Sequence, residues 1–467
     1  MNSINLAVLN SQTNNQSNYH VLKVNERRTN MIYDKTIYQI SESVNKEDFI
    51  IVTYYCEAKT ADLLLKAGAM AGEQTTGTWV RVPLETDEVR QRHIGRLIGM
   101  YEVPNYEFEI PDGVTERKFI FKLAYPTINI GPNIPELLAT VCGNITNGGK
   151  LKIVDIEFPE SYIAEFKGPK FGIEGIRKIL GVEKRPLTLG MIKPCTGTTP
   201  EQCGQVAYEL GLGGLDIIKD DELLGDTSYN TCKAIFVEVM KAVKRLKEET
   251  GHTMLYAMNI TDRPDKMLEK AIWACKNGAN CLMMDIQAVG WGAFQMVNEH
   301  PDINVPLLAH PAFSGVFYES EYSGVASHLI IGKLSRLAGA DIMVYPCAYG
   351  KLKLLRESYI RIQQTIQAPM YHMNPCLPSP AAGVHAGILP RMCDDIGFDF
   401  LIGAGGSMHG HPMGPSAGVK ALIDAANAIV DGIDLTEAAK TSKELQVSID
   451  TWGLDANENN KLFELER

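Results

Sequence analysis

The 467-residue chain is 45% hydrophobic and 22% charged, an ordinary globular composition with enough length for two or three cores. Its formal net charge of −11 argues against nucleic acid and anionic membranes as partners, because both call for a basic face that neutralises phosphates. No run approaches 18 apolar residues, and the ten cysteines stand singly without disulfide-framework or zinc spacing, so the expectation is a soluble cytoplasmic protein with reduced thiols.

Residues 1–34, opening MNSINLAVLNSQTNNQSNYH, are polar and Asn-rich and lack the charged, apolar and cleavage regions of a signal peptide. They are read as a disordered extension, with Met31 an alternative start. Across 35–167 short strands mix with helices: DFIIVTYYCEA and KFIFKLAYPT predict strands and TADLLLKAGAMAGEQ a helix, which together make an α+β domain. Within it AGEQTTGTW, Ala71 to Trp79, is a polar run without a packing role and suggests a ligand contact. The Gly/Pro-rich FKGPKFGIEG marks a boundary, and 168–467 alternate aliphatic strands with amphipathic helices. The candidate strands are TLGMIKP, LDIIKDD, LYAMNI, CLMMDI, VPLLAH, DIMVYP, PMYHMNP and DFLIGAGG. Eight β/α units fit a TIM (β/α)8 barrel better than an open doubly wound sheet, which has fewer strands and a Gly-rich phosphate turn after the first.

In such a barrel the C-terminal strand ends build the active site, and here they carry Lys193, Lys219, Asp221, Glu222, Asn259, Asp285, His310, Gly405 and Gly406. GGLDIIKDDELLGD surrounds Lys219 with Asp216, Asp220, Asp221 and Glu222. Strand alternation sends Lys219 and Asp221 to one side, with Glu222 opening the loop beyond. One reading is a salt-bridged strand terminus. The other is a Mg²⁺ site, since carboxylate oxygens suit that hard cation, provided that something such as carbamylation by CO₂ removes the repelling charge of the lysine. Lys193, in GMIKPCTGTTP, is either a strand-end lysine reaching solvent or an electrophile beside a developing enolate. Lys351, in YGKLK, suits a mobile lid or an ordinary surface, and His310 a substrate contact or a packing role, while His328 inside a helix reads as structural. GAGGSMHGHPMG offers unobstructed backbone N–H groups for a phosphate.

Together these motifs resemble the large subunit of ribulose-bisphosphate carboxylase, from about residue 50 to 430. GGLDIIKDDE resembles that family's G-x-D-x-x-K-x-D-E signature, and the likeness implies a carbamylated Lys219 that binds Mg²⁺ with Asp221 and Glu222. TTGTW resembles the segment that reaches into a neighbouring subunit's barrel, which implies Glu73, Thr78 and Trp79 at a site shared in a homodimer or larger assembly; CGN similarly offers Asn144. IKP implies Lys193 as the enolisation lysine and GKL implies Lys351 as the loop lysine. AAGVH and GGSMHGHP imply Gly383, Gly405 and Gly406 beside one phosphate. The implied fold is an α+β, ferredoxin-like N-terminal domain before a TIM barrel.

The departures from that pattern bear on function. Cys195 replaces a second lysine, Pro311 an arginine, Ser314 and Val344 histidines, Ala381 a serine, Ala382 a glycine, and Lys353 a glutamate. Pro311, Val344 and Ala381 cannot make the charge-assisted contacts that hold a second phosphate, so a bisphosphate substrate is not expected. The implied class is a RuBisCO-like protein that forms an enediolate on a phosphorylated sugar or sugar acid. Because the methionine-salvage enolases carry a basic lysine where this chain has Asn144, and because AGEQTTGTWVRVPLETDE resembles the sugar-acid branch, the first expectation is decarboxylation of a 3-oxo sugar-acid phosphate. An isomerase or enolase of the methionine-salvage type is the second, and a non-catalytic binding protein retaining the fold the third.

Overall fold

The computed structural model describes residues 34–59, 62–77 and 81–454; the expected N-terminal extension falls outside them apart from Asp34. The chain divides into two compact units. The first takes residues up to Gly131, then Glu136–Ser161 and Glu321–Gly324; the second takes Pro132–Pro135, Tyr162–Ser320 and Val325 onward.

In the first unit β1 (Phe49–Ala58), β2 (Arg96–Glu102), β3 (Arg117–Pro126) and β4 (Leu151–Glu157) pair antiparallel in the order β4-β1-β3-β2. The short strand β10 (Gly324–Val325) extends the β4 edge. Helix Leu63–Glu73 lies between β1 and β2 in sequence, and helix Ile134–Val141 between β3 and β4. This is the β-α-β-β-α-β arrangement of a ferredoxin-like domain. Alternation is legible in β3, where Phe119, Phe121 and Leu123 are buried while Ile120 between them is exposed.

In the second unit eight parallel strands form a nearly closed barrel: β5 (Leu187–Met191), β6 (Ile217–Lys219), β7 (Leu255–Asn259), β8 (Cys281–Asp285), β9 (Leu307–His310), β11 (Ile342–Pro346), β12 (Leu377–Ala381) and β13 (Leu401–Gly403). Leu189, Ile217, Ala257, Met283, Leu308, Val344 and Leu377 fill its interior as one buried cluster, joined by Ile173, Ile176 and Leu180 of helix Gly172–Leu180. That helix therefore stoppers the end from which the strands start.

The seventh strand differs from expectation. PMYHMNP contributes only an isolated bridge between Met370 and Met373, and the strand is Leu377–Ala381, LPSPA. Pro378 and Pro380 hide it from a propensity reading, since proline cannot donate to a ladder. Their effect is directional. Leu377 donates to Asp341 O and Ala381 O accepts from Cys347 N, so alternate residues face β11 and the two prolines turn their missing N–H toward β13. The ladder order runs β12-β11-β9-β8-β7-β6-β5-β13, and its two end strands are not joined by a backbone ladder. Ser379 Oγ spans this seam to Leu401 O at 3.5 Å.

Candidate active site

The carboxylates crowded around Lys219 in sequence separate in space. Asp216, before β6, sits at the stoppered end, where Arg185 holds it through both guanidinium nitrogens (2.7 and 3.0 Å) and Thr188 donates from its N–H and hydroxyl. Asp220 points out of the barrel and accepts from Tyr256 Oη (2.8 Å) and Asn259 N (2.8 Å). Complete burial outweighs those donors and pushes its pKa up to about 7. Only Asp221 and Glu222 remain at the mouth with Lys219.

Lys219 is 1% exposed, and its Nζ donates to Asp220 O (2.9 Å) and Glu222 Oε2 (3.2 Å). Asp221 Oδ2 accepts from Lys193 Nζ at 2.6 Å, and that ammonium also lies 2.8 Å from Cys195 Sγ. Burial lowers the Lys193 pKa, but the bonds to Asp221 and Cys195 raise it further, so Lys193 stands as an ammonium. Glu222 feels burial in one direction and the charge of Lys219, joined by that of the His310 ring when it is protonated, in the other, and the charges win, holding it at about 2. His310 ends β9 with Nε2 3.4 Å from Glu222 Oε2 and Nδ1 3.2 Å from Asp285 Oδ1. Lys193, Lys219, Asp221, Glu222 and His310 thus form one cluster, joined by Asp285, which the sequence placed at a strand end of the mouth without a specific role, and by Cys195, to which it assigned none.

Gly383 and Gly405 occupy the loops after β12 and β13, and Gly406 opens the short helix Gly406–His409. A Cβ at Gly405 would strike Met191 Sδ at 2.8 Å and approach Lys193 Cε at 3.8 Å, so this glycine lets the last loop lie on the end of β5, just before Lys193. Gly383 has φ +96°, and a Cβ there would meet Lys351 N at 2.5 Å. Lys351 N donates to Ala382 O (2.7 Å), which seats the Lys351 loop against Gly383, with its side chain exposed rather than in the Lys219 cluster. Ala382, standing where the carboxylases have glycine, keeps a left-handed φ of +73°. Ser407 Oγ donates to Val384 O (2.6 Å) and ties the two glycine loops together.

Glu73 and Asn144 belong to the first unit. Gln74 brings their segments together: its Nε2 donates to Thr140 O (2.6 Å) and Ala139 O (3.3 Å), just ahead of Gly143, which leaves no room for a Cβ. Thr78 and Trp79 lie outside the described residues.

The donor set fits Mg²⁺ on one condition. Among the described residues no trio of His, Cys, Asp and Glu side chains is arranged to hold a metal. Two carboxylates, Asp221 and Glu222, converge on two ammonium groups, and a divalent cation enters such a place once Lys219 becomes an oxygen donor.

Models of the ribulose bisphosphate carboxylase large chain match the sequence twice, the N-terminal domain over residues 20–162 and the catalytic domain over 172–452. The chain belongs to this family. Among its relatives, a ribulose bisphosphate carboxylase-like protein of Archaeoglobus fulgidus is 43% identical over 87% of this chain and 92% of its own. A 2,3-diketo-5-methylthiopentyl-1-phosphate enolase of Geobacillus kaustophilus is 36% identical over 87% and 98%. In structure, the RuBisCO-like protein MtnW of Alicyclobacillus acidocaldarius superposes with a TM-score of 0.81 at 34% identity, covering 87% of this chain and 100% of that one. A dimeric archaeal Rubisco from Hyperthermus butylicus gives 0.81 at 28%, covering 91% and 100%. No helix among the described residues is long and apolar enough to cross a membrane.

Proposed function

We propose that this RuBisCO-like chain is a Mg²⁺-dependent enolase or isomerase of a monophosphorylated diketone or keto sugar, rather than a carboxylase. The reading is carried by the contrast between the two sides of the mouth. The lysine and carboxylate cluster is complete, whereas Val344 (3% exposed) and Ala381 (9%) present hydrocarbon packed into the barrel interior at strand ends where a second phosphate would need cations. The relatives' 2,3-diketo-5-methylthiopentyl-1-phosphate carries one phosphate and an uncharged thioether tail, which matches that division. This favours the enolase or isomerase over decarboxylation of a 3-oxo acid.

In this reading Asp221, Glu222 and a carbamylated Lys219 hold Mg²⁺, which when bound polarises the substrate carbonyl. Gly383, Gly405 and Gly406 receive the phosphate, and Lys193 donates a hydrogen bond to the oxygen where charge develops. With Asn144 in place of a basic lysine, His310 Nε2 is the acceptor for the proton leaving carbon. Lys351 closes over the substrate. Glu73, Thr78, Trp79 and Asn144 are supplied by the partner subunit of a homodimer.

The test offers the diketone phosphate and a panel of 3-oxo sugar-acid phosphates to the protein with Mg²⁺ and bicarbonate, following proton exchange and CO₂ release. Exchange without CO₂ is expected, and Lys219→Ala should abolish metal binding and lower turnover by about 10³-fold or more, roughly 4 kcal/mol. CO₂ release from a 3-oxo acid would restore the decarboxylase, a reading that Asn144 favours. Turnover of nothing, with Mg²⁺ unbound, would leave a binding protein.

A further inference from the structure

Tyr256 lies on the outward face of β7, fully buried. Phe236 of helix Cys232–Thr250 packs against it with ring centroids 6.2 Å apart, and Trp273 of helix Pro264–Lys276 backs Phe236 at 5.3 Å. In that apolar setting the Tyr256 hydroxyl lies 2.8 Å from Asp220 Oδ1 and 2.9 Å from Oδ2, and Asn259 N donates to the same Oδ2 at 2.8 Å. A phenol can donate or accept, so its bond to Asp220 stands whichever protonation state the carboxyl holds. Replacing both members of a buried polar pair by hydrocarbon of the same shape can be neutral or stabilising, so stability alone is a weak reason for a phenol and a carboxyl here.

What distinguishes the pair is its place in the chain. Asp220 stands between Lys219 and Asp221, and these two with Glu222 make up the proposed Mg²⁺ site. The ladder sets Lys219 opposite Ala257, and Asp220 N donates to Ala257 O (3.2 Å). Past that point β7 reaches the turn through side chains: Tyr256 through Asp220, and Asn259 Nδ2 at 3.4 Å from both Asp221 O and Leu224 O. The turn also braces itself, with Leu223 N donating to Asp221 Oδ1 (3.1 Å) and Leu224 N to Asp221 O (2.9 Å). Successive side chains of a strand point to opposite faces, so holding residue 220 outward fixes the inward aim of 219 and 221 together.

We propose that Tyr256 is a positioning residue for the metal-binding turn: by holding Asp220 on the outer side of the barrel wall, it fixes the backbone from Lys219 to Glu222 and presets the spacing of the groups that face a divalent cation. The effect on metal affinity rests on the Mg²⁺ reading above; the hold on the turn does not.

Tyr256→Phe removes one oxygen and keeps the packing. In the metal-free, full-length protein, hydrogen exchange followed by mass spectrometry over residues 219–225 should become about tenfold faster or more. Mg²⁺ titrated by calorimetry in bicarbonate should bind about 10- to 100-fold more weakly. The ¹³C signal of a carbamate formed from labelled bicarbonate should need correspondingly more Mg²⁺ to saturate. Asp341→Asn, at the stoppered end, controls for a general loss of stability and should leave both turn exchange and Mg²⁺ affinity within about twofold. Asp220→Asn keeps one acceptor oxygen and should weaken binding by a smaller factor; it decides the matter should Tyr256→Phe not fold. Turn exchange or Mg²⁺ affinity unmoved by the substitution overturns the proposal, as does an equal loss of affinity in Asp341→Asn. A loosened turn in a protein that binds no Mg²⁺ before substitution sustains the hold on the turn and removes the metal reading; Mg²⁺ binding with an unmoved turn does the reverse.

Discussion

At the stoppered end of the barrel Asp216 is gripped by Arg185 and Thr188, and Asp341 receives three backbone N–H groups, from Phe171 (2.6 Å), Gly172 (2.9 Å) and Leu307 (2.9 Å). At the open end Asp221 and Glu222 face the ammonium heads of Lys193 and Lys219, and Asp285 faces an imidazole. Both sets are buried or half-buried carboxylates in one barrel. What separates them is the donor: backbone amides and a twice-bonded guanidinium stay in place as long as the fold does, while long-chain ammonium groups can withdraw, change charge, or yield to a cation. The carboxylates at the two ends are told apart here by what holds them, not by depth.

That contrast can be broken by substitution at the stoppered end. The largest effect is expected from Asp216→Ala, which strands a mostly buried guanidinium. Breaking such a pair costs about 3–5 kcal/mol, read by chemical denaturation, and a loss below about 1 kcal/mol would remove the distinction. Asp341→Asn offers an amide to three donors and should cost about 1–3 kcal/mol. It also carries a pH signature. Burial outweighs the three donors and pushes the Asp341 pKa up to about 6. The folded state therefore binds this proton more tightly than the unfolded chain, so the contribution is full below about pH 4 and fades as the pH rises through 6, on the order of 2–3 kcal/mol in all. Denaturation between pH 4 and 7 should show that slope in the unsubstituted protein and not in Asp341→Asn. The smallest effect sharpens the picture at the mouth. Ala382→Gly relieves a left-handed alanine worth about 1–2 kcal/mol, offset by about 0.5–1 kcal/mol of glycine entropy, for a net gain of up to about 1.5 kcal/mol in thermal unfolding.

Much of this was legible in the residues. The period of two that sets Lys219 and Asp221 on one side is a local property of a strand, as is the alternation of strand and helix that led to a barrel. The seventh strand was hidden because its register depends on what β11 offers it, which overrides the poor strand propensity of Pro378 and Pro380. The fates of Asp216 and Asp220 were equally out of reach, because the groups that hold them, Arg185, Thr188 and Tyr256, come from other strands and loops. Asp285 had the right position, at an inward strand end, and lacked only the knowledge that His310 from the next strand faces it. Cys195 is two residues from Lys193 in sequence, yet its contact with that lysine depends on how the chain turns after β5.

The unladdered join between β12 and β13 bears on the phosphate site proposed above. Gly383 follows one of these strands and Gly405 the other, so the two halves of the glycine cradle hang from opposite banks of a gap. A continuous sheet would set their separation by its fixed strand spacing. Here two serines bridge them, Ser379 reaching Leu401 within the wall and Ser407 reaching Val384 above it. Two side-chain clasps thus tie the banks of this gap, and a single hydroxyl at Ser379 or Ser407 is the place to alter the spacing of the proposed phosphate cradle.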